Sequence, residues 1–124
     1  ISEYAVENCH PDVKGKISVS TAESLNFEDQ SIDFLICKDV LPHIPLTKIN
    51  NVFSEIKRVC KDNIFLEILC GRTKLELEDM KLWDPTHQII ETPVWWQEML
   101  EKHRINATVY FKILIPEKIN EIQK

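Results

Sequence analysis

The chain has 124 residues, enough for one domain with a modest core. Apolar residues make up 44% and charged residues 28%, the balance of a soluble globular chain. A net charge of −5 with dispersed lysines argues against nucleic acid as the main partner, because neutralising phosphates needs concentrated Lys and Arg.

No apolar run is long enough to cross a bilayer and no signal-peptide pattern is present, so no membrane partner is expected. The four cysteines, Cys9, Cys37, Cys60 and Cys70, include no C-x-x-C pair. A zinc site or disulfide frame is therefore not expected, no other metal-ligand spacing is visible, and a reducing cytoplasm suits the pattern. The Asn106-Ala107-Thr108 sequon is read as incidental.

In chain order, residues 2–9 read as a short helix with Ser2 as N-cap, ending near His10-Pro11. Residues 16–20, KISVS, alternate and predict a strand. Residues 26–31 form a turn rich in Asn, Asp and Ser. Residues 32–37, IDFLIC, are almost continuously apolar, the mark of a strand covered on both faces. The clearest helix follows: Ile49, Val52, Phe53, Ile56, Val59 and Cys60 recur at spacings of three and four, leaving Lys48, Asn51, Glu55 and Lys57 outside. Residues 63–69 predict a second buried strand, stopped by Cys70-Gly71. Residues 72–91 read as polar and irregular. Residues 92–103 predict a helix capped by Thr92 with Pro93 in its first turn. Residues 107–115 predict a closing strand with Val109, Phe111, Ile113 and Ile115 on one face.

Strands joined through helices predict an α/β fold with a parallel sheet and right-handed crossovers. Ligands of such sheets sit beyond the carboxyl ends of the strands, which here means residues 20–23, 38–43 and 68–71.

An ordered series of short pieces carries a resemblance: Ile1-Ser2-Glu3, Ala22-Glu23-Ser24-Leu25-Asn26-Phe27, Ile32-Asp33, Val40-Leu41-Pro42-His43 and Glu55-Ile56-Lys57-Arg58-Val59. Through these the run from Ile1 to Leu69 resembles the class I S-adenosylmethionine-dependent methyltransferases, especially those acting on small molecules. Trp83-Asp84-Pro85-Thr86-His87 followed by Pro93-Val94-Trp95-Trp96 is similar to the substrate-side segment of some bacterial members. The family's glycine-rich first motif would precede Ile1, and Gly15 and Gly71 cannot supply it. The resemblance thus implies a partial Rossmann-like methyltransferase fold, mostly parallel with flanking helices and lacking its first strand. Residues 1–124 are expected to be a single domain, the C-terminal two-thirds of a methyltransferase domain. A chain starting at Ile1 is expected to be processed or an excerpt.

The resemblance assigns cofactor contacts to Ile1, Thr21, Ala22, Glu23, Lys38 and Asp39, with S-adenosylmethionine as cofactor and no metal. It places Trp83, His87 and Trp95 on the substrate side. His43 could take a proton from the nucleophile, its unperturbed pKa lying near neutrality, or could simply pack the start of the next helix. His87 suits a substrate lid or a turn. Glu67, inside a buried strand, needs a partner or a cavity. Trp95 and Trp96 read as core, a substrate wall or a dimer anchor.

The implied reaction is methyl transfer to a small-molecule acceptor by in-line displacement, and whether this chain is active alone is left open. A homo-oligomer or a complementing N-terminal segment is the expected protein partner. The alternative is a non-catalytic methyltransferase-like interaction module that oligomerises.

Overall fold

The computed structural model describes residues 2–114. Its elements are α1 (Glu3–Glu7), β1 (Leu35–Lys38), α2 (Ile49–Val59), β2 (Ile64–Cys70), α3 (Lys74–Trp83), α4 (Pro93–Lys102) and β3 (Ala107–Ile113), with single 3-10 turns at Pro11–Val13 and Leu41–His43. Among the described residues the sheet has the order β1-β2-β3 and is parallel throughout. This is a partial Rossmann-like arrangement.

The register pairs Leu35 with Ile64 and Ile64 with Ala107, and runs on to Lys38 with Glu67 and Cys70 with Ile113. Because strand side chains alternate, Cys37, Leu66 and Val109 share a face with Leu35, Ile68 and Phe111. That face meets the apolar side of α2, where Val52, Phe53, Ile56 and Val59 are buried. Trp96 and Leu100 of α4 complete the core, with the Trp96 ring edge-on to Phe53. Cys37 and Cys70 thiols are pushed up to about 11 by burial, so both stay protonated packing groups.

Three expectations are corrected. Residues 16–20 form no strand: no ladder joins the segment to the sheet, and Val19 is exposed, so its alternation has no layer to pack on. The strand expected at 32–37 is shorter, Leu35–Lys38, and is not covered on both faces; it is the sheet edge among the described residues, as the lack of a first strand implies. Ile36 is 65% exposed, as is much of Phe34 before it and of Tyr110 across the sheet. Residues 72–91 are not all irregular, since α3 occupies ten of them. Thr73 caps that helix by accepting from the Glu76 N–H, and the Glu76 carboxylate reaches back to the Arg72 N–H at 2.6 Å. Only Met80 of α3 is buried, so its apolar periodicity is faint. The helices over 49–59 and 93–102 follow expectation, as do the Ser2 and Thr92 caps. Ile115 and Ile1 lie outside the described residues.

Glu55, expected on the outer face of its helix, is instead the centre of a clamp. Its carboxylate accepts from the Leu25 N–H at 2.7 Å and from Arg58 Nε at 2.6 Å and Nη2 at 2.9 Å. Arg58 donates onward to the carbonyls of Phe27 and Leu25 and to Asp29. Four bonds thereby tie the 25–29 loop to α2, next to the turn at Thr21–Ser24.

The Arg58 side chain first, and the Leu25 N–H second, lower the Glu55 pKa from 4.5 to about 2. A carboxyl depressed on folding stabilises the native state above its unfolded value and loses that contribution as pH falls through the folded one. Stability is therefore expected to fall between about pH 4.5 and 2, and Glu55→Gln to flatten that part of a plot of urea midpoint against pH. Gly71 makes a second check: a Cβ there would meet the Leu77 backbone N at 2.8 Å. Gly71→Ala is expected to cost about 1–3 kcal/mol in thermal unfolding, the range for overpacking.

Candidate active site

The carboxyl ends of all three strands open on one cavity of about 190 Å³. Asp39 follows β1, while Leu69 and Lys112 are the last residues but one of β2 and β3, and each contributes to the lining. Pro42 and His43 come from the turn after β1, while Trp83, Asp84 and His87 come from the end of α3 and the loop beyond it. This is where an open parallel sheet binds ligands. Asp39 holds a left-handed backbone, φ 55°, which turns the chain away from the sheet at the cavity mouth.

Backbone bonds bring the distant segment in. The Pro42 carbonyl accepts from the N–H groups of Gln88 and Ile89 at 2.8 and 2.9 Å. Asp84 and Thr86 form a tight turn in which Asp84 Oδ1 accepts from the Thr86 N–H at 3.0 Å and its hydroxyl at 2.6 Å. The hydroxyl and then the N–H of Thr86 hold the Asp84 carboxyl below the usual carboxylate range, with His87 and His43 adding to the effect.

These bonds also determine the histidine tautomers. The Thr86 hydroxyl spends its proton on Asp84, so its contact with His43 Nδ1, 3.1 Å, must be a hydrogen bond donated by the ring. His87 Nδ1, 3.3 Å from the Met80 carbonyl, must likewise carry its proton. Each neutral ring is left with a bare Nε2 lone pair. The two rings stack with centroids 4.5 Å apart, and the Trp83 ring lies 6.4 Å beyond His87, nearly parallel. His43 Nε2 stands 3.8 Å from Asp84 Oδ2.

Charged groups span the strand ends. Glu67 finds the partners its position demands: Lys38 at 3.7 Å and Lys112 at 3.6 Å, with Lys112 also 3.6 Å from Asp39. Lys38 and Asp39 thus pair with β2 and β3 rather than with each other.

A second, smaller hollow of about 130 Å³ lies along the free side of β1. Ala22 and Leu25 of the clamped loop, Leu35, Ile36 and Cys37 of β1, and Val52 and Ile56 of α2 line it. Thr21 is exposed beside it, and the Glu23 carboxylate is held by Lys48 at 2.9 Å.

Of the residues singled out in the sequence, His43, His87, Trp83 and Asp39 converge on the larger cavity. Ala22 lines the smaller one, with Thr21 and Glu23 in the same loop. Lys38 stands between the two as a partner of Glu67. Trp95 does not line the cavity; it packs edge-on to Trp96 against the core. Asp84 and Lys112 were not among the sequence candidates. The Asp-x-Thr turn was a readable signal for Asp84. Nothing local marks Lys112, which reaches the site only through the pairing of β3 with β2. The absence of metal-ligand spacing was likewise a statement about neighbours in sequence, whereas His43, Asp84 and His87 meet through the fold.

A parallel α/β sheet with a cavity at its carboxyl edge places the chain in the open-sheet class, whose ligands sit at that edge. A family model described as a methyltransferase domain matches residues 1–67, more than half of the chain. The chain belongs to that family, whose chemistry is methyl transfer. No curated protein and no solved structure matches it.

The tautomer wiring has a direct check. Thr86→Val removes the acceptor for His43 Nδ1–H, and long-range proton–nitrogen correlation spectra are expected to show the His43 proton moving toward Nε2. An unchanged Nδ1–H signature would refute the assignment.

Proposed function

We propose that this domain serves S-adenosylmethionine-dependent methyl transfer to a small-molecule acceptor. The observation that carries the reading is the placement of a bare His43 Nε2 in a cavity at the carboxyl ends of the strands, beside a second, apolar hollow.

The residues fit the cofactor along one wall. Thr21, Ala22 and Glu23 would border the nucleoside, with the apolar hollow formed by Ala22, Leu35 and Cys37 beside it, and Lys38 and Asp39 would present backbone at the strand end. When bound, the cofactor supplies a methyl group already activated by its sulfonium. The chain's own work is then alignment, exclusion of water and handling of one proton. Trp83 and His87 offer stacked faces for the acceptor, and Lys112 and Asp39 offer opposite charges at the opposite side. His43 Nε2 takes the acceptor's proton, and the Asp84 carboxylate nearby favours the imidazolium that results. Asp84 reaches the other ring nitrogen through the Thr86 hydroxyl, which sets the ring orientation.

The test is calorimetric titration with S-adenosylhomocysteine, using this chain and a form extended at its N-terminus. Saturable binding that Ala22→Trp weakens at least tenfold is expected. Binding by the extended form alone would place the second wall outside residues 1–124, and binding by neither would sink the reading. In whichever form is active, His43→Gln is expected to lower kcat about a hundredfold or more, in the range for a general base.

The exposed Ile36, Phe34 and Tyr110 favour a second reading, a non-catalytic module that associates through its sheet. Light scattering at high concentration separates the two, since a clean monomer counts against the module.

A further inference from the structure

We propose that His43, Asp84 and His87 form a binding site for a divalent transition-metal ion of the zinc class, a site independent of any methyl donor. One ligand atom from each of the three residues lies within 4.8 Å of the others. His43 Nε2 and Asp84 Oδ2 are 3.8 Å apart, too far for a hydrogen bond. Two ligands at about 2.0–2.1 Å from one tetrahedral ion sit roughly 3.3 Å from each other, so His43 and Asp84 need only a small approach. The His87 ring must turn out of its stack on His43 for its lone pair to converge on the ion.

The protonation pattern points the same way. Metal-bound histidines donate their other ring N–H to a carbonyl, a carboxylate or a similar oxygen, which fixes the tautomer that leaves a lone pair for the ion. His87 does this through the Met80 carbonyl and His43 through the Thr86 hydroxyl. The carboxylate is prepared as well: Thr86 occupies Asp84 Oδ1 with two hydrogen bonds and leaves Oδ2 facing His43. Three ligands thus come with their outer partners already in place.

Two imidazoles and one carboxylate suit zinc, cobalt, nickel or ferrous iron, and not magnesium or calcium, which demand oxygen ligands. All three residues line the cavity, and among the described residues no fourth protein ligand joins them, so an ion held there would keep a position for a water or a substrate oxygen, unlike a closed structural site. Lys112, the cation lining the same cavity, is compensated by Asp39 and Glu67 and does not repel the ion uncompensated. The ion would occupy the lone pair that His43 otherwise offers to an acceptor's proton. It would then lower the pKa of an oxygen bound to it, replacing the base rather than adding to it.

The experiment is titration of the reduced chain with Co²⁺, without methyl donor, followed by visible absorption and then by competition with Zn²⁺. One Co²⁺ per chain is expected, with a d–d band that Zn²⁺ abolishes and without a near-ultraviolet thiolate band. His43→Gln and Asp84→Asn, each checked for an unchanged circular dichroism spectrum, are expected to weaken binding at least a hundredfold. No d–d band in the unsubstituted chain, a thiolate band implicating the cysteines, or a band that persists in both variants would overturn the site. Because no cofactor enters the titration, its failure leaves the methyl-transfer reading untouched, and loss of cofactor binding leaves this site untouched.

Discussion

The site depends on one backbone oxygen. The Pro42 carbonyl, in the turn that follows β1, accepts hydrogen bonds from both Gln88 and Ile89, and so docks a segment more than forty residues away against the strand end. Pro42 is buried, so these two bonds are made away from water, where an unpaired carbonyl or N–H would be costly. Ile89 is buried in the core beside them, which anchors the segment by packing as well. With that crossing fixed, His43 has little choice but to lie against Thr86 and His87. The chemistry of the cavity is a consequence of where two loops touch, and the sheet supplies the platform on which they meet.

That platform is itself held by opposed charges and by a clamp. Glu67 sits midway along the sheet's carboxyl edge with a lysine from each neighbouring strand, so one half-buried carboxylate links β1, β2 and β3. Lys38 is largely exposed, and isolated exposed pairs contribute little, so the gain is the satisfaction of Glu67 more than the attraction itself. On the other side of β1, Glu55 and Arg58 secure the loop carrying Thr21, Ala22 and Glu23. Arg58 suits this task because its planar fork can reach two carbonyls and two carboxylates at once. The strand end is thus flanked by two hollows, one lined almost wholly by apolar side chains and one bearing His43, His87, Asp39, Asp84 and Lys112.

The core was legible wherever periodicity was strong. The 49–59 helix announced itself by its apolar stripe, and β2 by an unbroken apolar run. The capping residues Ser2 and Thr92 were readable because their hydroxyls have a single local task. Helix α3 was missed although Thr73-x-x-Glu76 was there to be read, because a helix with one buried residue leaves almost no apolar stripe. The 16–20 segment shows the reverse error: alternation describes a strand's two faces, but a strand also needs a neighbour, and neighbours are not written locally. The edge position of β1, by contrast, was expected from the resemblance, which lacks the first strand that would lie beside it. At the site, His43 and His87 were recognisable as chemistry-bearing residues, yet their stacking, and the Asp84 carboxylate between the two loops, exist only because residues 42 and 88 meet. Ile1, the remaining cofactor candidate, falls outside the described residues.

The way Asp84 is wired to His43 constrains what the histidine can do. A carboxylate bonded directly to Nδ1–H would raise the basicity of the ring strongly and hold the charge beside the proton. Here the Thr86 hydroxyl stands between them, taking the ring's Nδ1–H on one side and giving its own proton to Asp84 on the other. The ring is oriented by the hydroxyl rather than by the carboxylate itself. Asp84 Oδ2 then faces Nε2 across 3.8 Å, close enough to favour a positive charge arriving there but not to compete for the lone pair beforehand. Two features of the site trace to Thr86: the ring proton drawn to Nδ1, and an Asp84 carboxyl held below the usual carboxylate range. One threonine therefore sets both halves of the pair, and its hydroxyl governs the site more than its small size and exposed position would indicate.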